Sequence, residues 1–459
     1  MIEFNLKDLA HILKAEVFNP MYFEPFDNIS TDSRIINNKS IFFAFKGEKF
    51  DGHNFVKSVS QAGVKSVVIN KERISDFKNL NISIFAVDDT IKAYGELARV
   101  YRNRIKAKVI AITGSNGKTT TKELLAHILS GQYKVVKTLK NDNNHIGVPK
   151  TILSADKDTD YIVLEVGTNH PGEIEYSAKI AQPDYAYITN IGDSHLEFLK
   201  DRNGVLEEKY NLFKYTVLRA GKIIVNLDDP LIRKKTEGFI ECITLSFDRK
   251  ANYEGEIINI DELGIPTVRV KTYNGIIADF KSPLYGLVNG KNLFAAVSIA
   301  IELGLHVDEI QKQLDIPLSV ENRMNVITKK NSIIINDYYN SNPSSMKAAL
   351  EYLGFLKKYK YKMAILGDMY ELGEYAIDEH KKLSYLINDS DIAHICLIGN
   401  FMKYLVSEIS PVKIVNYFEN RDDLIKFCHD LDINGKIILI KGSRGMKMEE
   451  FANILNKKG

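Results

Sequence analysis

Residues 111–120 read Ala-Ile-Thr-Gly-Ser-Asn-Gly-Lys-Thr-Thr and directly follow an apolar run. This order is typical of a strand that enters a glycine-bounded turn and continues as a helix. Gly114 and Gly117 tolerate backbone angles that strain other residues, so the N–H groups of the turn can point at anionic oxygens at the start of a helix. Ile112 stands where the full phosphate-loop pattern has its first glycine, so the match is to a shortened Gly-x-x-Gly-Lys-Thr loop.

This loop predicts a nucleotide site. Lys118 would reach the outer phosphates, and the Thr119 hydroxyl would face a metal ion. A Gly-Lys-Thr string also arises by chance in surface turns, but the preceding strand and a helix predicted over residues 121–129 favour the phosphate loop. We expect the nucleotide to contact every residue of the loop, namely Gly114, Ser115, Asn116, Gly117, Lys118, Thr119 and Thr120.

Composition limits the class of protein. A chain of 459 residues is too long to fold around a single hydrophobic core. A composition of 45% hydrophobic and 26% charged residues is ordinary for a globular protein. A net charge of +2 gives no general attraction to nucleic acid or membrane. Three cysteines without metal or redox spacing suit a reducing compartment. Acidic residues interrupt the N-terminal apolar stretch, which argues against a secretory signal. No apolar run reaches the ~18 residues expected of a membrane span. We therefore expect a cytoplasmic protein.

The pattern of strands and helices predicts an α/β protein of three domains. Residues 1–103 form a small α/β domain, residues 104–315 a central parallel sheet with helices on both faces, and residues 316–459 a Rossmann-like doubly wound domain. A small antiparallel excursion is predicted over residues 250–285. The predicted strands include Ser40–Phe45, Val64–Ile69, Lys108–Ile112, Tyr161–Glu165, Tyr185–Thr189, Lys222–Asn226, Ser332–Asn336, Lys362–Leu366, Ile395–Ile398, Lys413–Val415 and Lys436–Ile440.

Two polar side chains follow strands that are predicted to neighbour the loop. Glu165 ends one apolar run, and His195 follows the next strand along the chain. Ligands of parallel sheets bind at this edge, and a carboxylate beside a phosphate loop suits Mg²⁺. We predict that both side chains act in the site. A solvated acid at a strand end is the alternative for Glu165, and a structural hydrogen bond is the alternative for His195.

Other polar residues allow two interpretations. Lys209 follows Glu207 and Glu208 on a predicted helix, which indicates an exposed lysine paired with neighbouring acids. Asn289 and Asn292 share a helix face and would either contact an adenine edge or cap the helix. Polar clusters over 336–343 and 441–445 follow two later strands. They indicate either a second ligand face or simple polar turns.

Together these motifs resemble the Mur ligase family, the ATP-dependent amino-acid and peptide ligases of peptidoglycan synthesis. The shortened loop, the Glu165-Val-Gly167 motif and the Asn190–His195 motif occur in the family's order and spacing, and the resemblance covers essentially the whole chain. The further matching strings are Thr31–Arg34, Phe43–Glu48 with Phe50–His53, Asn141–Pro149, Tyr339–Pro343, Leu366–Glu374 and Lys441–Arg444.

The resemblance implies an ATP-dependent ligase that joins D-alanyl-D-alanine to a UDP-N-acetylmuramoyl-tripeptide through an acyl phosphate, releasing ADP and phosphate. The N-terminal domain would hold the UDP-sugar, and the central domain would bind ATP. The C-terminal domain would close over ATP and bring the dipeptide. We expect a monomer with no nucleic-acid partner and no membrane span.

The resemblance also assigns roles to residues. Lys118, Lys209 and His195 would be catalytic, with Lys209 carrying a carbamate that helps to hold the second of two Mg²⁺ ions. This reverses the interpretation of Lys209 from its local pattern. The metal-binding positions would be Thr119, Glu165, His195 and Lys209. Further nucleotide contacts would come from Asn289, Asn292, Arg323 and Asp337. The substrate contacts would be Ser33, Arg34, Asn141, Asn144 and Asn340.

Two alternatives remain at this stage. The first is another ligase on the same scaffold, such as the enzyme that adds the third peptide residue or a folylpolyglutamate synthase; the strings at 339–343 and 366–374 argue against both. The second is a nucleotide-dependent switch. Such a protein needs a guanine-reading Asn-Lys-x-Asp motif, and the nearest string, Asn70-Lys-Glu-Arg73, lacks the aspartate and precedes the loop.

Overall fold

Three sheets organise the chain. The computed structural model describes residues 4–47, 50–239 and 241–458, so Glu48, which ends one of the strings above, lies outside the described residues. The sheets contain five, nine and six strands, and each is built from one of the three predicted segments. The domain bounds at 103/104 and 315/316 stay predictions. Among the described residues, no helix combines the length and the apolar character that a bilayer crossing requires.

The first sheet has the strand order β1-β5-β4-β3-β2, with β1 antiparallel and the others parallel. The predicted strands at Ser40 and Val64 correspond to β3 and β4 with shifted ends. The strands are β1 (Glu16–Phe18), β2 (Asn28–Ser30), β3 (Ser40–Phe43), β4 (Ser66–Asn70) and β5 (Ser83–Val87). The helices are α1 (Leu6–Leu13), α2 (Val56–Gln61), α3 (Ile74–Phe77) and α4 (Thr90–Arg104).

The second sheet is parallel from its β7 edge to β12 and ends in an antiparallel hairpin. The strand order is β14-β13-β12-β11-β10-β9-β6-β8-β7. The strands are β6 (Lys108–Thr113), β7 (Val135–Lys137), β8 (Tyr161–Glu165), β9 (Tyr185–Ile188), β10 (Lys222–Asn226), β11 (Cys242–Ser246), β12 (Tyr253–Ile260), β13 (Pro266–Thr272) and β14 (Ile277–Lys281). The antiparallel part lies within the predicted excursion.

Helices cover both faces of this sheet, which explains the continuous apolar run of β6. Val109 and Ala111 pack into one hydrophobic core, whereas Ile110 and Ile112 pack into the core on the opposite face. The helices are α5 (Lys118–Leu129), α6 (Gly147–Leu153), α7 (Glu173–Ala181), α8 (Leu196–Leu199), α9 (Arg202–Val217), α10 (Pro230–Lys235), α11 (Leu287–Glu302) and α12 (Val307–Leu314).

The third sheet has the order β15-β16-β20-β17-β18-β19, with β15 antiparallel to β16 and the other pairs parallel. The strands are β15 (Asn325–Thr328), β16 (Ser332–Asn336), β17 (Tyr361–Gly367), β18 (His394–Ile398), β19 (Ile414–Phe418) and β20 (Lys436–Lys441). The helices are α13 (Pro343–Phe355), α14 (Ala376–Asn388), α15 (Arg421–Asp430) and α16 (Glu449–Asn456).

The strand predicted at Lys413–Val415 was placed too early. It begins at Ile414 and continues to Phe418. The prediction stopped at Val415 because the polar Asn416 interrupts the apolar run. This strand forms the edge of the sheet and is only half-buried, so a polar residue is tolerated there.

Arg102, at the end of α4, ties the N-terminal part of the chain to the nine-stranded sheet. Its guanidinium donates to the carbonyl oxygens of Ala181 and Gln182 at 3.1 and 3.3 Å and to Asp184 Oδ2 at 2.7 Å. The same carboxylate oxygen accepts the N–H of Val109 at 2.7 Å, at the start of the strand that leads to the phosphate loop. The link therefore fixes the entry of β6.

We expect Arg102→Ala to lower the free energy of unfolding by about 2 kcal/mol, because it removes one donor from each of two carbonyls and a partly buried carboxylate. The measurement is the shift in the urea midpoint. Arg99→Ala, on the same helix, removes an exposed ion pair with Glu96 and should change stability by less than about 0.5 kcal/mol. Equal effects of the two substitutions would contradict the role of Arg102.

Candidate active site

The phosphate loop has the predicted strand–turn–helix form. β6 ends at Thr113 and α5 begins at Lys118. Gly114 and Gly117 have φ of 144° and 82°. A Cβ at Gly114 would lie 1.9 Å from Thr189 Oγ1, and one at Gly117 would lie 2.5 Å from Asn292 Oδ1. Both glycines are therefore required by conformation and by space, and the first N–H groups of α5 face an anion site.

The ammonium of Lys118 folds back over the loop. Its Nζ donates to the carbonyl oxygens of Gly114 and Ser115 at 2.7 and 3.3 Å. Burial lowers the pKa of Lys118 to about 8, and the nearby Glu165 carboxylate opposes this shift. An anionic ligand on the loop would stabilise the charged amine, so Lys118 is placed to bind phosphate.

Glu165 and Lys209 present buried polar atoms without partners. Glu165, at the end of β8, is 2% exposed. Its Oε1 accepts from Asn143 Nδ2 at 2.8 Å, but Oε2 has no hydrogen-bond partner among the described residues. Lys209, on α9, is 0% exposed, and its Nζ likewise lacks a partner in the described structure. Such orphaned atoms are costly, which indicates that a ligand satisfies them.

The interpretation of Lys209 as an exposed lysine paired with local acids is wrong. Glu207 pairs with Lys235, and Glu208 accepts the N–H groups of Gly172 and Ile174 at 2.8 Å each. Burial, together with the charge of Lys118, pushes the pKa of Lys209 well below its usual value. The lowered pKa favours the uncharged amine, which is the form that acts as a nucleophile.

His195 points toward the third sheet. It adopts a left-handed conformation with φ of 55°, and its Nδ1 lies 2.6 Å from Oε2 of Glu371, in the loop after β17. This pairing with His195 lowers the pKa of Glu371. No group of three His, Cys, Asp or Glu side chains that could hold a metal occurs among the residues at 4–47, 50–239 and 241–458. Metal binding at His195 stays a prediction.

A cavity of about 580 Å³ lies between the nine-stranded sheet and the third sheet. The nucleotide residues expected from the sequence come together here. The lining includes the loop residues from Ser115 to Thr120 and, in addition, His195, Asn289, Asn292, Arg323, Asp337 and Asn340. Asn289 Nδ2 donates to Tyr285 O, and Asn292 Nδ2 donates to Asn289 Oδ1. Neither side chain caps α11, whose cap residue is Gly286.

The C-terminal part of the chain contacts the phosphate loop directly. Asn116 Nδ2 donates to Ser344 Oγ at 2.7 Å, and Asn342 Nδ2 donates to Asn116 Oδ1 at 2.9 Å. Asn342 also caps α13, because its Oδ1 accepts the N–H of Ser345. The cavity is therefore bounded by two parts of the chain that meet at Asn116.

Asp337 and Arg323 are both fixed at the cavity wall. Asp337 Oδ1 accepts the N–H of Met324 at 3.1 Å, and Oδ2 pairs with Lys441 Nζ at 2.6 Å. The Arg323 guanidinium lies 4.2 Å from the ring centroid of Tyr339.

The substrate residues predicted in the first two domains lie apart from this cavity. The Arg34 side chain is 85% exposed and pairs with Asp32 at 2.6 Å. Asn144 Oδ1 accepts the N–H groups of Ile146 and Gly147 at the start of α6, and Asn141 is exposed. Ser33 is half-buried in the same turn as Arg34. None of these four side chains lines the cavity.

Sequence reasoning missed several contacts of the site. Glu371 and Asn143 lie in strings used only for the resemblance, yet they contact His195 and Glu165. Their position after strand ends is the signal that could have identified them. His380, which follows the string at 366–374, is a buried structural residue: its Nε2 accepts the N–H of Met369 and its Nδ1 donates to Ala376 O.

Comparisons with known proteins agree with this geometry. Residues 25–110 match the description "Mur ligase family, catalytic domain", residues 112–300 "Mur ligase middle domain", and residues 322–444 "Mur ligase, glutamate ligase domain". A UDP-N-acetylmuramoyl-tripeptide–D-alanyl-D-alanine ligase of Bacillus subtilis is 33% identical over 99% of both chains. The ligase of the same name from Escherichia coli is 31% identical over 100% of both.

Solved structures share the whole architecture. A crystal structure of MurF from Acinetobacter baumannii has a TM-score of 0.90 at 31% identity, covering 100% of both chains. MurF ligase from Thermotoga maritima, solved in complex with ADP, has a TM-score of 0.80 at 26% identity, covering 94% of this chain and 97% of that one. The predicted three-domain α/β fold is thus confirmed, and the chain belongs to the Mur ligase family.

Proposed function

We propose that the chain is an ATP-dependent ligase that joins the amine of D-alanyl-D-alanine to the carboxylate of a UDP-N-acetylmuramoyl-tripeptide. The observation that carries this proposal is the phosphate loop, which Asn342 and Ser344 contact through Asn116. It occurs in a chain that matches UDP-N-acetylmuramoyl-tripeptide–D-alanyl-D-alanine ligases over its full length. A cytoplasmic location and a monomeric state stay predictions from the sequence.

The chemistry requires activation of a poor electrophile. A carboxylate oxygen of the tripeptide attacks the γ-phosphorus of ATP, ADP leaves, and an acyl phosphate forms. The dipeptide amine then attacks the acyl carbon, loses one proton, and phosphate leaves. We assign phosphate binding to Lys118 and to the N–H groups at the start of α5, because preorganised donors stabilise charge that develops during phosphoryl transfer.

The resemblance to the family implies a Mg²⁺ site, and two buried atoms without partners in the described structure support it. We assign Mg²⁺ binding to Thr119, Glu165, His195 and a carbamate on Lys209, because Glu165 Oε2 and Lys209 Nζ are buried without partners in the described structure. Bound Mg²⁺ would neutralise phosphoryl oxygens. Carbamylation converts an unpaired amine into an oxygen ligand, which is the ligand type that Mg²⁺ prefers.

The contacts of Asn116 with Asn342 and Ser344 suit a closed state that keeps water away from the acyl phosphate. Water would otherwise hydrolyse this intermediate. Asn116, Asn342 and Ser344 would therefore hold this closed state, because they join the phosphate loop to the start of α13.

A substrate panel tests the proposed activity. With ATP, Mg²⁺ and UDP-muramoyl-tripeptides that differ at residue three, we expect product with D-alanyl-D-alanine, detected by mass and by ADP release. Lys118→Ala should lower kcat by about 1,000-fold. Lys134→Ala, which removes an exposed ion pair with Asp156, should keep the wild-type rate. Product with single amino acids but none with D-alanyl-D-alanine would contradict the proposal.

Labelled bicarbonate tests the carbamate independently of activity. ¹³C-bicarbonate should give one carbamate resonance in the ¹³C spectrum, because the lowered pKa of Lys209 favours the uncharged amine that forms a carbamate. The resonance should disappear in Lys209→Gln. Lys122 is the internal control: it is equally buried but donates to Thr138 O and pairs with Glu123. A resonance that persists in Lys209→Gln would refute the assignment.

A further inference from the structure

Most cations around the cavity already have partners. Lys118 donates to the phosphate loop. Arg202 makes a two-pronged pair with Asp193, at 2.7 and 2.5 Å. Lys441 pairs with Asp337 at 2.6 Å and also donates to Asn340 O. These three side chains therefore already make hydrogen bonds or ion pairs, and a further anionic ligand would bind a different cation.

Arg444 differs from these three cations in its contacts. It follows β20, is exposed, and has no hydrogen bond or ion pair to its guanidinium within the described part of the chain. The guanidinium lies 5.2 Å from the ring centroid of Tyr339, a half-buried residue of the cavity wall. Arg444 therefore presents its donors at the edge of the cavity, next to Tyr339 of the cavity wall.

Arg323 contacts the same ring but is placed for a different ligand. It lies 4.2 Å from the Tyr339 centroid and lines the cavity. It shares the cavity wall with the phosphate-loop residues Ser115 to Thr120, so it is placed to act on phosphate oxygens. Arg444 is therefore left for an anion that lies farther from the phosphate loop, on the C-terminal rim of the cavity. This rim consists of the loops that follow β16, β17 and β20.

The backbone that carries Arg444 is tightly held. Ser443 Oγ accepts the N–H of Tyr370 at 2.8 Å and donates to Ser341 O at 3.2 Å. Ser443 N donates to Asp368 O at 2.9 Å. A Cβ at Gly445 would lie 2.7 Å from the Tyr370 ring. The loop is therefore packed against both neighbouring loops of the rim, and a fixed backbone lowers the entropic cost of binding.

The dipeptide brings an anion of the required kind. Its amine must reach the acyl phosphate above Lys118, and its terminal carboxylate lies two residues away, about 7 Å in an extended chain. The planar guanidinium fork matches a carboxylate with two parallel hydrogen bonds. The rings of Tyr339 and Tyr370, which both line the cavity, offer apolar surface for the two methyl groups.

We propose that Arg444 binds the terminal carboxylate of the incoming D-alanyl-D-alanine and thereby selects a free dipeptide acid as the amine substrate. This inference rests on the proposed function. It adds a specificity-determining residue on the C-terminal rim, separate from the phosphate and metal residues.

A comparison of acid and amide substrates tests this role. Wild-type enzyme should use D-alanyl-D-alanine with a kcat/KM about 100-fold above that for D-alanyl-D-alaninamide, which lacks the charge. In Arg444→Gln this preference should fall to about threefold or less, through the KM for the acid, while the KM values for ATP and for the UDP-tripeptide stay unchanged. Arg444→Lys, which keeps the charge without the fork, should retain an intermediate preference.

Arg202→Gln is the matched control because Arg202 lines the same cavity but is paired with Asp193. It should keep the wild-type preference. The proposal is overturned if Arg444→Gln keeps the preference, if it loses activity with both substrates equally, or if Arg202→Gln or Arg323→Gln abolishes the preference instead. Wild-type enzyme that uses both substrates equally would also overturn it. Failure of the proposed function differs, since D-alanyl-D-alanine would then give no product at all.

Discussion

The close packing around the phosphate loop is the constraint on which the rest of the structure depends. Gly117 has no room for a side chain because Asn292 of α11 lies against it, and Gly114 has none because of Thr189. On its other side the loop meets Asn342 and Ser344 through Asn116. One short turn thus joins the central sheet, the helix that lines the cavity and the C-terminal part of the chain. The loop therefore contacts both parts of the chain that bound the cavity.

Two buried groups of the central part of the chain are unsatisfied. Within the described residues, Glu165 Oε2 and Lys209 Nζ have no hydrogen-bond partner, and each destabilises the fold, which favours ligand binding over packing as their role. The guanidinium of Arg444, which has no hydrogen bond or ion pair within the described part of the chain, has a different meaning, since it is exposed and open to solvent. Its position over Tyr339 connects it to the cavity.

Local sequence patterns predicted the elements that position the site. The apolar runs of β6 and β8 are continuous because alternate residues enter two different cores, and the Asn342-Pro343 start of α13 follows simple capping rules. Lys209 could not be interpreted from its neighbours, because burial of α9 against α7 and β9 depends on contacts distant in sequence. The resemblance to the family, and not the local sequence pattern, assigned Lys209 to the site. Glu371 was missed because its contact with His195 forms between domains.

The proposed reaction depends on transfer of the γ-phosphoryl group of ATP to a peptide carboxylate, and an oxygen-tracing experiment detects this transfer. The terminal carboxylate of the UDP-muramoyl-tripeptide is labelled with ¹⁸O, and the phosphate released during ligation is analysed by mass spectrometry. Formation of an acyl phosphate transfers one labelled oxygen to phosphate in each turnover. We therefore predict one ¹⁸O per phosphate released. Unlabelled phosphate accompanying peptide product would contradict the mechanism.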